Sequence, residues 1–543
     1  MDSHQLDARN LDNLFIPYDE TVKAYINTPH WVDGIDMVTN RSGTLRPRPG
    51  FLTMPDNNVY ATNVGRIDRL VTYETFDNPS HVYLVASIWQ AGSGLWGAYY
   101  LKIDGSLGGA ATVGTWTSLG NFKFMQESTR VHEFEVARGL CYIKSFPASS
   151  TSEFYGTTVF NGGSGNIVID FWGLPSPTQP VRMTASAGWN AATNPVSVLY
   201  GWYYFYTWKS RTGQYSTRSP IESDPANPLS TTGAFTNKKP AFKVRGHADT
   251  TRIPKIGIWR TTDGGGTPYF VEDITNTGDV DITYEDNHRV STTTNDPKTD
   301  LQLDTTNICP SQVSNMAPPP VDEQHVTGTD QIQPSTNIAY WQRRMWYGIH
   351  RLYESGQEEI ANGIPEESFP NPNGVPGQGN FYQFRNAPRM VCPTQNGMYC
   401  VTSEEIQRFT GEDLTNIRPT FVDNIGGYPN QTEACFGFRD TMFFVTRDNQ
   451  IAAVTGNDPA VIISQPISTT LKSLLNGIPI ANLNITMDIY SRDGNLWLIT
   501  NIANTNSISQ TRQLVYDINN GIWFTPWSGR FSCMHFGLWK NSQ

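Results

Sequence analysis

Several stretches of this chain bring together side chains whose types could do chemistry. "TLRPRPGF" (Thr44 to Phe51) sets Arg46 and Arg48 on a frame of Pro47 and Pro49, closed by Gly50. Two guanidiniums held this way could pair with carboxylates of this or a neighbouring subunit, or grip a phosphate backbone. The prolines fix two φ angles and remove two backbone donors, so the stretch cannot be a central strand. Arg343-Arg344 lies between Trp341 and Trp346. That basic-aromatic spot could stack nucleic-acid bases, line a subunit interface, or turn one arginine inward against a carboxylate. Glu285-Asp286 and Glu366-Glu367 could in principle be glycosidase pairs, although loop carboxylates of an acidic chain are usually solvated. Cys392 and Cys400 stand eight apart across an expected hairpin, close enough in sequence to consider a disulfide.

Other candidates read as turns. "SRDGNLW" (Ser491 to Trp497) nearly matches the Asp-box of sialidase propellers, but its glycine follows the aspartate one residue early. An Asp-Gly hairpin with a tryptophan in the return strand explains it. "DGGGTP" (Asp263 to Pro268) links two strands and opens no helix, so it is a hairpin loop and not a phosphate cradle. His132, His247, His325, His350 and His535 are isolated, and no histidine stands near a cysteine pair at zinc spacing. The chain also lacks G-x-S-x-G, H-E-x-x-H and a Walker loop. The expectation is therefore no catalytic residue, no metal, no cofactor and no enzyme.

The elements that must position these residues are strands. In 543 residues, aromatic content is 12% and charged content 16%, with 46 Gly and 35 Pro spread as turn residues. That composition predicts ordered all-β structure. The formal charge of -11 argues against general nucleic-acid binding, which needs a basic surface. An acidic surface would instead suit a passage through which DNA slides. No run of 18 apolar residues spans a membrane, and the N-terminus lacks a signal pattern.

Residues 1–50 read as an N-terminal arm. Short period-two strands fill 51–175, then "GLPSPTQPVRM" breaks the texture. Residues 291–335 are a polar, Pro-rich linker, and strands return over 336–543. There "YCVTSEEIQRFTG" and "FFVTRDNQIAAVTG" match almost position for position, with Tyr399 and Phe443 at equivalent places. Such hairpins in series predict a β-propeller, with two or three blades before the break and about four after it. One short amphipathic helix is marked by Ser464 as N-cap, Pro466 in the first turn, Ile467, Leu471, Leu474 and Leu475 on one face, and Gly477 at the end.

Residues 180–290 resemble a fibronectin type III-like β-sandwich. The family's Tyr-rich strand, Ser-Pro turn, "IYRT"-type strand and final "YxD" fall at Tyr203 to Tyr206, Ser219-Pro220, Ile258 to Thr261 and Tyr284 to Asp286. The fold class expected is thus all-β, a propeller interrupted by an inserted immunoglobulin/fibronectin-like sandwich. Outside the insert, the order of motifs resembles tail hub or nozzle proteins of short-tailed bacteriophages. Gly43, Leu45, Arg48, Pro49 and Gly50 fill that family's "G-x-L-x-x-R-P-G". Gly456, Pro459, Ile463 and Ser464 match its "G-x-x-P-x-x-I-S", which precedes a helix. The resemblance implies a structural virion protein, assembled in the host cytoplasm. Six copies would ring a DNA channel below a tail adaptor, hold the packaged genome without sequence-specific binding, and dock fibres, spikes or a needle. The competing expectation is a glycan-binding or glycan-cleaving propeller with an accessory sandwich. Gene neighbours, a portal and a tail adaptor, would separate the two.

Overall fold

In a computed structural model, the structure describes residues 37–39, 45–47, 64–74, 82–90, 95–103, 116–119, 133–137, 139–144, 156–161, 167–188, 202–211, 213–220, 238–286, 298–310, 336–348, 351–356, 368–369, 380–412, 416–492 and 495–528. These form an all-β protein of antiparallel sheets with one short α-helix.

Six of the sheets are consecutive meanders, each strand pairing with the next in sequence, except that the last strand of the sixth, Trp527–Ser528, pairs with Arg512–Asp517. Sheet 1 begins with Val64–Glu74 and sheet 2 with Glu133–Ala137; both fall in the 51–175 block. Sheets 3 to 6 begin with Ala339–Trp341, Pro388–Pro393, Cys435–Phe438 and Leu483–Arg492. The first strand of each sheet neighbours the first strand of the next, from sheet 1 through to sheet 6. The matched hairpins are the second and third strands of sheets 4 and 5, Met398–Thr402 with Ile406–Thr410 and Thr441–Val445 with Ile451–Thr455.

Alternation explains the packing. Successive side chains on a strand point to opposite faces, so each sheet offers one apolar set to each neighbour. Tyr73, Tyr83 and Val85 of sheet 1 meet Phe134, Cys141 and Ile143 of sheet 2. Tyr142 and Trp172 then meet Met345, Tyr347 and Tyr353 of sheet 3. Trp346 and Leu352 meet Val391, Met398 and Phe409 of sheet 4. A larger core joins sheets 4, 5 and 6 through Tyr399, Val401, Phe444, Ile485 and Leu498.

Between sheets 2 and 3 the chain builds a separate unit of two sheets. Arg182–Gly188, Lys238–Arg245 and Asp281–Glu285 form one; Tyr204–Lys209, Lys255–Thr261, Pro268–Thr275 and Asp304–Ile308 form the other. Their facing side chains include Tyr204, Tyr206, Phe242, Val244 and Ile258. One expectation needs correcting here. Strand Asp304–Ile308 falls in the stretch read as a linker, so the unit continues past residue 290.

The helix, Ser468–Gly477, follows a 3-10 turn at Gln465–Ile467. It buries Ile467, Leu471 and Leu475 against the shared core of sheets 4 to 6, with Leu474 half-buried. Ser464 does not cap it. Its hydroxyl instead accepts the Ile451 backbone N–H at 2.9 Å, because the strand edge offers a donor closer than the helix does. Replacing Leu471 by Ala should lower unfolding free energy by about 2–5 kcal/mol, the usual cost of a cavity at a fully buried leucine. The denaturant midpoint measures it, and an unchanged midpoint would mean that the helix is not part of the core.

Candidate functional site

The densest buried polar cluster among the described residues lies where the first strands converge. Strand Val64–Glu74 carries register shifts between Val64 and Arg66 and between Ile67 and Arg69. Such irregularities re-aim side chains, and they end with Arg69 only 7% exposed. Its Nε lies 3.2 Å from Glu133 Oε2 of sheet 2. Its Nη1 donates to Asn484 Oδ1 of sheet 6 at 2.7 Å, and its Nη2 to Thr432 Oγ1, just before sheet 5, at 3.4 Å. Thr432 in turn donates its hydroxyl to Glu133 Oε1. One guanidinium therefore joins sheets 1, 2, 5 and 6.

Glu433 completes the cluster. Its Oε1 is 4.0 Å from Arg69 Nε, its side chain is 30% exposed, and its carboxyl hydrogen-bonds with that of Glu133. The segment carrying it is zipped onto sheet 6. Gln431 donates from Nε2 to the Leu483 carbonyl at 2.8 Å and accepts the Ile485 N–H at 2.8 Å, while Met487 N–H donates to the Glu433 carbonyl at 3.1 Å.

The two carboxyls are shifted in opposite directions. Burial works against charge on Glu133, but the Arg69 guanidinium, the Glu433 bond, Lys144 and the Thr432 hydroxyl hold it well below the usual carboxylate range. Burial, then the Glu133 charge, push Glu433 well above that range. The two shifts run in opposite directions, as expected of carboxyls that share one site beside a guanidinium. Glycosidase pairs need about 5–9.5 Å between carboxyls to admit a sugar or a water, so carboxyls in contact are a fastening and not an acid/base pair. Among the described residues, no group of three or more His, Cys, Asp or Glu could hold a metal ion.

Cations seal the other junctions too. Lys144 of sheet 2 is fully buried and donates to the Thr336 carbonyl leading into sheet 3. Arg408 of sheet 4 reaches Asp440 Oδ1 of sheet 5 at 2.8 Å. Nearby, burial pushes the Glu135 carboxyl up to about 8 against a hydrogen bond from the Tyr340 backbone.

The residues singled out from the sequence are distributed differently. Arg343 and Arg344 do not act together. Trp341 pairs with Arg344 across a two-residue turn, with positive φ at Gln342 and Arg343, so Arg343 stands exposed at a hairpin tip. Arg344 is 0% exposed, 3.3 Å from Glu354 Oε2, and so serves the core of sheet 3 and not an interface. Burial pushes Glu354 up to about 7, with Arg344 opposing. Trp341 and Trp346 are core residues, their rings 5.8 Å apart, and offer no stacking platform. Arg46 lies in strand Leu45–Pro47, opposite Val38 of Met37–Thr39, a two-stranded ribbon that tolerates proline. Arg48, Pro49 and Gly50 lie outside the described residues.

Asp286 is consumed by a buried ion pair, 3.2 Å from Arg260 Nη1, and accepts the Tyr204 hydroxyl at 2.7 Å. Arg260 also stacks over Trp202 at 3.9 Å. Glu366, Glu367, His132, His325, His350 and His535 lie outside the described residues, and His247 packs edge-on against Trp208. No residue of the Arg69 cluster was conspicuous in the sequence. The one local signal is "HEFEV", whose alternation puts Glu133 and Glu135 on one face of a strand.

Arg69→Leu should destabilise the fold by about 3–5 kcal/mol, because it strands a buried carboxylate. The double change with Glu133→Leu should cost less than the sum of the single changes; additive losses would show that the pair is not coupled. The pH signatures have opposite signs. Glu133 adds stability that is present above its unfolded-state value and lost as pH falls below the usual carboxylate range. Glu135 and Glu354 keep protons that the unfolded chain releases near 4.5, so stability falls as pH rises from 4.5 to about 8 and about 7 respectively. Glu135→Gln and Glu354→Gln should flatten that alkaline decline in thermal midpoint and leave the acid limb in place. An alkaline limb identical to the parent's would mean that these carboxyls are ionised in the fold.

No protein-family model matches the chain, and no curated protein matches it in sequence. Among solved structures, apo AztD from Citrobacter koseri is similar over 87% of this chain and 86% of its own, at 9% identity and a TM-score of 0.30. The extracellular domain of BT4673 from B. thetaiotaomicron is similar over 88% of this chain and 72% of its own, at 11% identity and a TM-score of 0.20. Likenesses this remote carry no argument for fold or function.

Proposed function

We propose that the six meanders are blades of one β-propeller, interrupted after the second by a β-sandwich, and that the protein is a structural component of a short-tailed phage tail. Six copies ring a channel at the distal tail, below an adaptor, and dock fibres, spikes or a needle. Genomic DNA passes through the lumen without sequence-specific contact, and the chain catalyses no reaction. The observation that supports this most is the order of the parts. Outside the inserted unit, a Pro-rich lead-in ahead of the first meander and a helix after sheet 5 fall in the order of the motifs that resemble the hub and nozzle proteins.

Three further features support the reading. Arg69 joins the first sheet to the last, as a closed propeller requires. The cations at the sheet junctions fasten the body internally, which suits a rigid conduit. Exposed apolar side chains stand on the outer strands of three successive sheets, Phe381, Phe421 and Val461, where a neighbouring subunit could cover them. Among the described residues no helix is long and apolar enough to cross a membrane, in keeping with a role in a virion tail.

Electron microscopy and native mass spectrometry of the purified full chain test the proposal. The expected result is a six-fold ring, or assembly into one on a purified tail adaptor. A monomer that neither rings nor binds tail components, and that binds or cleaves glycans on an array, would overturn it in favour of a carbohydrate-active propeller.

A further inference from the structure

Cys392 lies in strand Pro388–Pro393 and Cys435 opens strand Cys435–Phe438, the neighbouring first strands of sheets 4 and 5. Both side chains are buried, at 2% and 7% exposure. Cys435 Sγ lies 4.0 Å from the carbonyl of Val391, the residue before Cys392, and the two thiols are near enough to interact electrostatically. Gly437 lets the strands come this close. A Cβ there would sit 2.0 Å from the Pro393 carbonyl oxygen and 3.3 Å from Cys392 Sγ.

Cys400, the sequence neighbour, is excluded as a partner. It pairs with Val391, whereas Cys392 pairs with Tyr399. Adjacent residues of a strand face opposite ways, so Cys400 packs with Trp346 and Phe409 on the sheet 3 side. Cys392 and Cys435 share the core on the other side.

We propose that Cys392 and Cys435 are a disulfide-forming pair, a covalent modification site that ties sheet 4 to sheet 5 when the protein meets a small disulfide oxidant. One cysteine gives up its proton, and its thiolate attacks a sulfur of the small disulfide. One small thiol leaves, and a mixed disulfide remains on the protein. The second cysteine, deprotonated in turn, attacks the protein sulfur of that mixed disulfide and expels the second small thiol. The cysteines lose two electrons, the small disulfide gains the same two, and each proton released ends on a departing thiol.

The reduced form is the resting state in a thiol-rich cytoplasm. The neighbouring Cys392 thiol, and then burial, push the Cys435 thiol well above its usual range, so the reaction speeds up as pH rises. Once formed, the bond closes a loop between two sheets and constrains the unfolded chain. It also anchors the segment holding Thr432 and Glu433, which end next to Cys435, and so stiffens the Arg69 cluster.

The test uses the folded full chain incubated with hydroxyethyl disulfide at neutral and mildly alkaline pH, quenched with acid, and mapped by non-reducing peptide mass spectrometry. The expected product is a Cys392–Cys435 linked peptide, formed faster at the higher pH and lost with dithiothreitol, with a raised thermal midpoint. Cys400→Ala should keep the link and Cys435→Ala should abolish it. The map of the unmutated protein decides the matter alone if a variant does not fold. Two free thiols after prolonged exposure, mixed disulfides only, or a link from Cys392 to Cys400 would each overturn the proposal.

Discussion

A buried guanidinium must find an acceptor for its donors or unfold the structure around it. Arg69 meets that demand with a carboxylate from sheet 2, a hydroxyl before sheet 5 and an amide of sheet 6 among its partners. Other junctions pair an apolar contact with a directional polar one, Lys144 between sheets 2 and 3 and Arg408 between sheets 4 and 5, each linking two successive sheets. The Arg69 cluster is different because one guanidinium joins four sheets. Apolar cores hold the sheets together, and the ion pair fixes which sheets meet and how far apart they stand.

The same division of labour recurs in the inserted unit. Its core is aromatic, with Tyr204, Phe242 and Tyr284 in mutual contact. Its alignment comes from Arg260, which holds Asp286 at the end of one sheet and Asp300 before the last strand of the other. That second bond explains why residues read as linker belong to the unit. A polar, loop-like sequence around Asp300 is recruited by a buried charge in strand Lys255–Thr261 that needs two acceptors.

The strands were legible in the sequence wherever the pattern was clean. "YCVTSEEIQRFTG" and its partner show two hairpins at their true places because short apolar runs there are separated by a polar turn. The helix was legible in its apolar stripe but not in its cap, since a serine before a helix can spend its hydroxyl on any nearby N–H. Arg343-Arg344 misled for a related reason. Arg343 sits in the exposed two-residue turn and Arg344 opens the buried return strand, so a basic pair in sequence is one exposed and one buried residue in space. The Arg69 cluster was illegible altogether. Its members come from four separate stretches, each carrying one or two unremarkable polar residues, and no local spacing encodes a contact between sheets 1 and 6. The Cys392–Cys400 hairpin illustrates a related error, backbones side by side whose thiols face opposite sides of the sheet.

The distance along the chain between Arg69 and Asn484, 415 residues, has a consequence for synthesis. At ribosomal rates of about 5–20 residues per second, sheet 1 waits roughly 20–80 s for the amide that completes the Arg69 contacts. Throughout that time Arg69 has Glu133 and then Thr432 as partners but lacks the Asn484 amide. The polar cluster is therefore completed only when the last sheet is made, and a nascent chain truncated before residue 484 would hold it without one acceptor.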